Sequence, residues 1–245
     1  IDVGLGDAIY LQFPNGSNML VDGGGDWGAK YDIGETIVSP FLWNKGVTKI
    51  DTVVLTNPRI NHYRGLIAIC SNFKIKNFIT TDELSTEQEY RDLMKVLRKR
   101  HIYMERTSDG KHYNIGDVYV NILDLKKITS NTDDNSMVMK LFYNDFSILF
   151  CSDITRKTQN ILTEANINST VLLVPQHGKK KLSSKFLLSI SPKFAILSTN
   201  KPSVRALEQL HLSKLFSTST SGTITILTDG NTCKIKETID SRIKN

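Results

Sequence analysis

This chain has few of the residues that cross-link or anchor a protein. Its three cysteines, Cys70, Cys151 and Cys233, have no paired spacing and leave one over, which argues against a disulfide framework and against a Cys-based zinc site. Cys70 and Cys151 lie in apolar runs and read as small core residues. No apolar run reaches the roughly 18 residues of a membrane-crossing helix, and no charged, then apolar, then small-residue leader is visible. Low-complexity tracts and Pro/Ser-rich linkers are also missing. The chain starts abruptly at Ile1 in what reads as a strand, so a domain excised from a longer protein is expected.

What is present is ordinary globular composition, 40% hydrophobic and 23% charged over 245 residues, enough for one large α/β domain or two small ones. The formal charge of +6 makes an acidic partner feasible.

Residues Ala8 to Asp22 alternate around Pro14-Asn15-Gly16, a β-hairpin signal, and Asp22 is followed by three glycines. Thr36 to Asn44 reads as a helix and Lys49 to Thr56 as a buried strand. That strand opens into a polar loop within Val53–Leu66 that holds His62. Ser85 to Arg100 is the clearest helix: Ser85 and Gln88 form a capping box, and Tyr90, Leu93, Met94 and Leu97 form its apolar stripe. Its end, Arg98-Lys99-Arg100, reads as a solvated turn that suits the helix dipole. The second half repeats the plan. Met137 to Phe142 and Phe146 to Cys151 flank Asn144-Asp145, Asp153 follows, then a helix over Thr155–Ala165, and the strand Thr170–Val174 delivers Pro175-Gln176-His177-Gly178. A strand at Ala195–Ser198, a helix at Ser203–Leu210 and a closing hairpin turning at Asp229-Gly230 complete the chain. Hairpin, strand-end Asp, helix, strand and strand-end His thus occur twice, which predicts one domain, residues 1–245, with two similar halves.

Asp22, His62, Asp153 and His177 are the residue types that hold zinc or manganese, and two such ions about 3.5–4 Å apart would activate water against a phosphodiester. Asn57, Arg59 and Asn61 stand where a closely spaced ligand loop would need His, Asp and Asp. Lys179-Lys180-Lys181, directly after the His177 turn, suits either a groove that follows a nucleic-acid backbone or a solvated loop. Tyr63-Arg64, beside His62, is the aromatic–basic pair nearest the site.

These segments resemble, in order, the metallo-β-lactamase-like domain of ComEC-type competence proteins. Asp2-Val3-Gly4-Leu5-Gly6-Asp7-Ala8 is similar to its DVGQGDA opening, Leu20-Val21-Asp22-Gly23-Gly24 to its LIDGG and Pro40-Phe41-Leu42 to its PFL. Leu55 to His62 resembles its S/T-H-P-D-x-D-H loop. Asn135-Ser136, Ser152-Asp153, Pro175-Gln176-His177-Gly178 and Ser221-Gly222-Thr223-Ile224 resemble its N-x-S, GD, PHHG and final-strand motifs. The resemblance implies an αββα four-layer sandwich, and a family activity of metal-dependent phosphodiester hydrolysis on a DNA strand. It also marks the departures. Asn57 and Arg59 remove first-ion ligands, Asn61 a second-ion carboxylate and Gln176 the first His of the pair, and Pro202-Ser203 follow Lys201 where a Gly-His-Pro is expected.

The expected outcome is a degenerate domain, catalytically weak or inactive, kept for binding DNA or for a structural role. The alternatives are a phosphodiesterase with a reduced single-metal site and a protein-binding scaffold. Either no metal or one weakly held zinc or manganese ion is expected, on His62, Asp153 and His177, with Asp22 supporting one of them. In a metal-free pocket Arg59 would pair with Asp22 or Asp153. Arg59, Arg64 and Lys179 to Lys181 are the candidate phosphate contacts. Expected partners are single-stranded DNA and the membrane-channel portion of the same parent. The domain is expected to be tethered to a bacterial cytoplasmic membrane, on its outer face, with a cytoplasmic placement as the alternative.

Overall fold

The computed structural model describes residues 1–26, 28, 31–107, 110–123, 131–201, 208–210 and 213–239. The chain divides into two compact units, Val3–Ser108 with Ile1, and Asp109–Asn245 with Asp2.

In the first unit the predicted hairpin forms as β1 (Ile9–Gln12) and β2 (Asn18–Val21), antiparallel. Ile1, read from the sequence as lying in a strand, and the residues after it up to Ala8 precede the hairpin without strand structure. A π-helical turn, Gly34–Val38, runs into helix α1 (Ser39–Asn44), two residues earlier than the predicted start. Then come β3 (Lys49–Leu55), α2 (Ile60–Asn72), β4 (Lys74–Thr80), α3 (Gln88–Lys99) and β5 (Tyr103–Arg106). The sheet order is β1-β2-β3-β4-β5, and each pair after the first is parallel. Leu20, Val53, Leu55 and Phe78 share one buried cluster with Leu66 and Ile69 of α2 and Leu93 and Leu97 of α3. Burying such aliphatic side chains contributes about 1.5–3 kcal/mol each, which holds the amphipathic helices on the sheet.

The stripe on α3 is as predicted, with Tyr90, Leu93 and Leu97 buried. Its capping box is not made. Glu87 takes the N-cap position, and the Ser85 hydroxyl accepts from the Glu87 amide at 3.2 Å, a turn one step before the helix. The glycines after Asp22 serve packing as well as turning. Gly23 donates to His62 O at 2.7 Å, and a Cβ on Gly65 would overlap Gly23's carbonyl oxygen, so α2 rests directly on this backbone.

The second unit carries β6 (Lys111–Ile115), β7 (Val118–Ile122), β8 (Met139–Tyr143), β9 (Phe146–Phe150), α4 (Arg156–Leu162), β10 (Val171–Leu173), α5 (Ser184–Ile190), β11 (Phe194–Leu197) and β12 (Lys214–Ser217). Strands β6 to β9 form an antiparallel meander, and β9 to β12 are parallel neighbours. Leu149, Cys151, Leu172, Phe186, Ala195 and Leu197 lie in its core. The closing hairpin, β13 (Ile224–Thr228) with β14 (Cys233–Glu237), forms a separate two-stranded sheet. It turns at Asp229-Gly230 as predicted, and Phe146 N donates to Gly230 O at 2.8 Å. The predicted helix Ser203–Leu210 falls mostly outside the described residues.

The predicted repeat is visible as topology. β1 to β5 and β8 to β12 have the same neighbour order and the same sequence of one antiparallel and three parallel pairings. Among the described residues no helix is long and apolar enough to cross a membrane.

Candidate metal centre

In the first unit β2 ends at Val21, and Asp22 turns its backbone into the left-handed region (φ 57°) while donating to Val54 O at 2.8 Å. This places a carboxylate that is 1% exposed under the end of β3. Its Oδ1 accepts the Thr56 amide at 2.8 Å and its Oδ2 the Thr56 hydroxyl at 2.6 Å. Oδ2 also lies 2.8 Å from His62 Nδ1. Burial pushes the Asp22 carboxyl above its usual range; His62 and Thr56 oppose the shift and nearby Asp7 adds to it. An ionised carboxylate only accepts, so this contact assigns the proton to His62 Nδ1 and the lone pair to Nε2. Asp22 is therefore a positioning residue, of the carboxylate–histidine kind found behind metal ligands. Ligand atoms of Asp7, Asp22 and His62 all lie within 4.8 Å of one another.

His62 is not on a loop, as the sequence suggested. It sits in the first turn of α2, fully buried. Asn57 is equally buried, and its Oδ1 accepts the Arg59 amide at 3.0 Å, turning the chain into the helix. The side chain that stands in place of a histidine ligand therefore does the work of a turn. Arg59 is the N-cap residue of α2 and is exposed. Of the two partners expected for Arg59, the Asp22 carboxylate is engaged instead by the Thr56 amide and hydroxyl and by His62. Asn61 is half-buried on the first helical turn, and Arg64 donates from its guanidinium to the Asp26 carbonyl.

In the second unit, Ser152 adopts φ 49° just after β9 and its carbonyl accepts the Gln176 amide at 3.0 Å. Gln176, His177 and Gly178 follow β10 with φ of 52°, 54° and 68°. Two consecutive non-glycine residues in the left-handed region cost about 1–2 kcal/mol each, strain of a kind that clusters at functional sites. The turn directs His177, 4% exposed, at Asp153, with Nε2 at 3.3 Å from Oδ1. Nδ1 lies 3.1 Å from the Ser198 carbonyl oxygen, which can only accept, so the proton is on Nδ1.

A neutral His177 then presents its Nε2 lone pair to a carboxylate oxygen, a repulsive contact unless a proton or a cation stands between them. Tetrahedral zinc ligands at 2.0–2.1 Å from the ion are about 3.3 Å apart. The Asp153–His177 separation has that value, so these two residues fit as neighbouring ligands of one divalent ion. Lys179, Lys180 and Lys181 follow directly and are exposed.

Asp22, His62, Asp153 and His177 were readable from the sequence. Thr56 and the Ser198 carbonyl, which fix the carboxylate and the second imidazole, were not. Thr56 had a signal, a hydroxyl residue heading the ligand loop, but a backbone carbonyl has none.

The chain thus has two sheets of matching strand order, each with an Asp after its hairpin and a His after the next strand. The profile of the metallo-β-lactamase superfamily matches residues 1–198, and the chain belongs to it. Among curated proteins the chain is similar to ComE operon protein 3 of Bacillus subtilis, 24% identical over 91% of the chain and 32% of that protein. It is also similar to Recombination protein 2 of Haemophilus influenzae, 25% identical over 86% of the chain and 26% of that protein. The resemblance to ComEC-type proteins is thus borne out, and the chain spans about a third or less of the length of these relatives. Among solved structures, the metallo-β-lactamase fold protein YhfI from Bacillus subtilis matches with a TM-score of 0.54 and 11% identity, covering 88% of this chain and 93% of that one. A variant of the CmlA β-hydroxylase gives 0.56 at 11%, covering 87% and 51%. These two show the fold.

Proposed function

We propose that this chain is a single-stranded DNA-binding metallo-β-lactamase domain that holds one divalent ion and has lost the two-ion hydrolytic centre. The observation that carries this reading is an asymmetry between the candidate ligand positions. Asp153 and His177 keep the separation of neighbouring ligands, whereas the Asn57 side chain is engaged in the turn that starts α2. The ligands proposed for the ion are Asp153 and His177; in the first unit Asp22 fixes the His62 tautomer. A bound ion would polarise a phosphoryl oxygen and lower the pKa of its water. The protein's own contribution is to aim each Nε2, to keep the carboxylates buried, and to offer Lys179 to Lys181 to phosphates.

The family resemblance implies a place within a larger DNA-uptake protein, beside a membrane channel, and we place the domain on the outer face of that membrane. A reduced, single-ion phosphodiesterase is the second reading, favoured by the same Asp153–His177 geometry.

Anisotropy of a labelled oligothymidylate, titrated with the purified chain at rising salt and with or without manganese, tests both. Binding should weaken steeply with salt, by a slope of about 0.7 per phosphate contacted, and cleavage should be slow or absent. No affinity even at low salt would remove the DNA-binding reading. Stoichiometric metal with efficient cleavage, lost in His62→Ala, would establish the hydrolase instead.

A further inference from the structure

Three helix-to-strand connections of the first unit meet at one end of its sheet, because β3, β4 and β5 are parallel and each is entered from a preceding helix. These connections are residues 45–48 after α1, Phe73 after α2 and residues 100–102 after α3. The end so formed is basic. Lys45, Lys49, Lys74, Lys76, Lys99 and Arg100 are all exposed, and Lys49 and Lys74 are cross-strand partners on β3 and β4. Asp51, which pairs with Lys49 at 3.7 Å, and Glu35, held by Asn72 at 3.0 Å, are the acids tied to it by described contacts.

Dipole compensation at three helix C-termini accounts for some of these cations. It does not account for Lys74 and Lys76, which are on a strand, nor for two exposed rings among them. Trp43 is 49% exposed and stacked on Phe73, with centroids 5.6 Å apart and planes at 24°. That contact holds one ring face rigidly and leaves the other side accessible. Arg100 donates to the Phe73 carbonyl at 3.2 Å, which ties a guanidinium to the same spot. Tyr103, 65% exposed, begins the edge strand β5.

We propose that this end is a second contact surface for single-stranded nucleic acid, in which the cations follow phosphates and Trp43 and Tyr103 stack bases. The proposal shares its ligand class with the function proposed above but uses other residues. The surface lies at the opposite end of β3 from Thr56 and His62, and seven residues of strand put it about 20 Å away. An anionic bilayer is the rival partner. A membrane-inserting face presents aliphatic side chains along with its rings, and the exposed aliphatics among the described residues, Leu84, Ile161, Leu188, Leu227 and Ile239, are all on other elements.

The test uses the full chain with oligothymidylate, read by anisotropy and by tryptophan fluorescence quenching, and with phosphatidylglycerol vesicles read by co-sedimentation. Lys74→Glu with Lys76→Glu changes two exposed side chains and should weaken oligothymidylate binding about tenfold or more at low salt. Trp43→Phe should remove much of the quenching while keeping the packing on Phe73. Binding lost on alanine substitution of Lys179, Lys180 and Lys181 but unchanged in the Lys74/Lys76 variant would overturn this surface and leave the proposed function standing. Absence of any oligothymidylate binding overturns both. Vesicle binding lost in the Lys74/Lys76 variant, with oligothymidylate binding unchanged, would make this a lipid-facing end and overturn the proposal.

Discussion

Asp22→Asn separates fold from ligand chemistry at the point where the first histidine is fixed. Asp22 accepts from the Thr56 amide, the Thr56 hydroxyl and His62 Nδ1 at 2.8, 2.6 and 2.8 Å. An amide in its place keeps one oxygen for the Thr56 amide. Its NH2 must then face Thr56 Oγ1, which can accept, and His62 Nδ1, which can accept only if the ring proton moves to Nε2. Hydrogen bonds to charged groups contribute about 1.5–3 kcal/mol against about 0.5–1.5 for neutral ones. Removing a carboxylate that is costly to bury offsets part of that loss, so the net destabilisation should be about 1–2 kcal/mol. Asp22→Ala instead removes the acceptor of these buried Thr56 and His62 bonds, at about 1–3 kcal/mol each. Because burial raises the Asp22 pKa above 3.8, its protonation favours the folded state. That contribution is fully present below about pH 4 and is lost as pH rises through the folded pKa, so wild-type stability should fall relative to Asp22→Asn across this window. Urea melts at several pH values measure it. Long-range 1H–15N spectra of histidine-labelled protein read the tautomer directly: His62 should carry its proton on Nδ1 in the wild type and on Nε2 in Asp22→Asn. An unchanged His62 tautomer in a folded Asp22→Asn variant would refute the positioning argument.

Gly65→Ala should lower stability by about 3 kcal/mol or prevent folding, since the added methyl meets the Gly23 carbonyl oxygen against which α2 rests; a urea midpoint near wild type would contradict this. Burial pushes the Cys70 thiol from 9.0 up to about 12. Its stabilising contribution is intact below about pH 9 and declines by about 1.4 kcal/mol per unit above that, so Cys70→Ala should flatten the alkaline stability profile. Thr155→Ala removes the hydroxyl that accepts the Lys157 amide and donates to Asp134 at the start of α4. The cost should be about 1 kcal/mol in denaturant melts.

Hydrophobic period and turn chemistry made most of the fold legible. Asn15-Gly16, Asn144-Asp145 and Asp229-Gly230 each mark a hairpin that forms, and the stripe of α3 is buried as its spacing requires. Strands β4, β5 and β12 carried weak patterns: Lys74, Lys76, Lys214 and Arg106 interrupt them at solvent-facing ends. The Gly116-Asp117 turn between β6 and β7 had a readable signal, a two-residue link led by a glycine at φ 61°. At the site, the carboxylate and imidazole positions were visible as residue types at strand ends. Their orientation was not, because it depends on a Thr56 hydroxyl, a Ser198 carbonyl and a left-handed turn at Gln176 and His177. The role of Asn57 was hidden for the same reason: sequence shows a missing ligand, and only the backbone shows the turn it makes.

Ion stoichiometry tests the central claim most directly. Native mass spectrometry of the chain at increasing zinc or manganese should show a single ion per chain at saturation, lost in His177→Ala. Two ions per chain, or none at saturating metal, would contradict a one-ion centre built on the 3.3 Å Asp153–His177 pair.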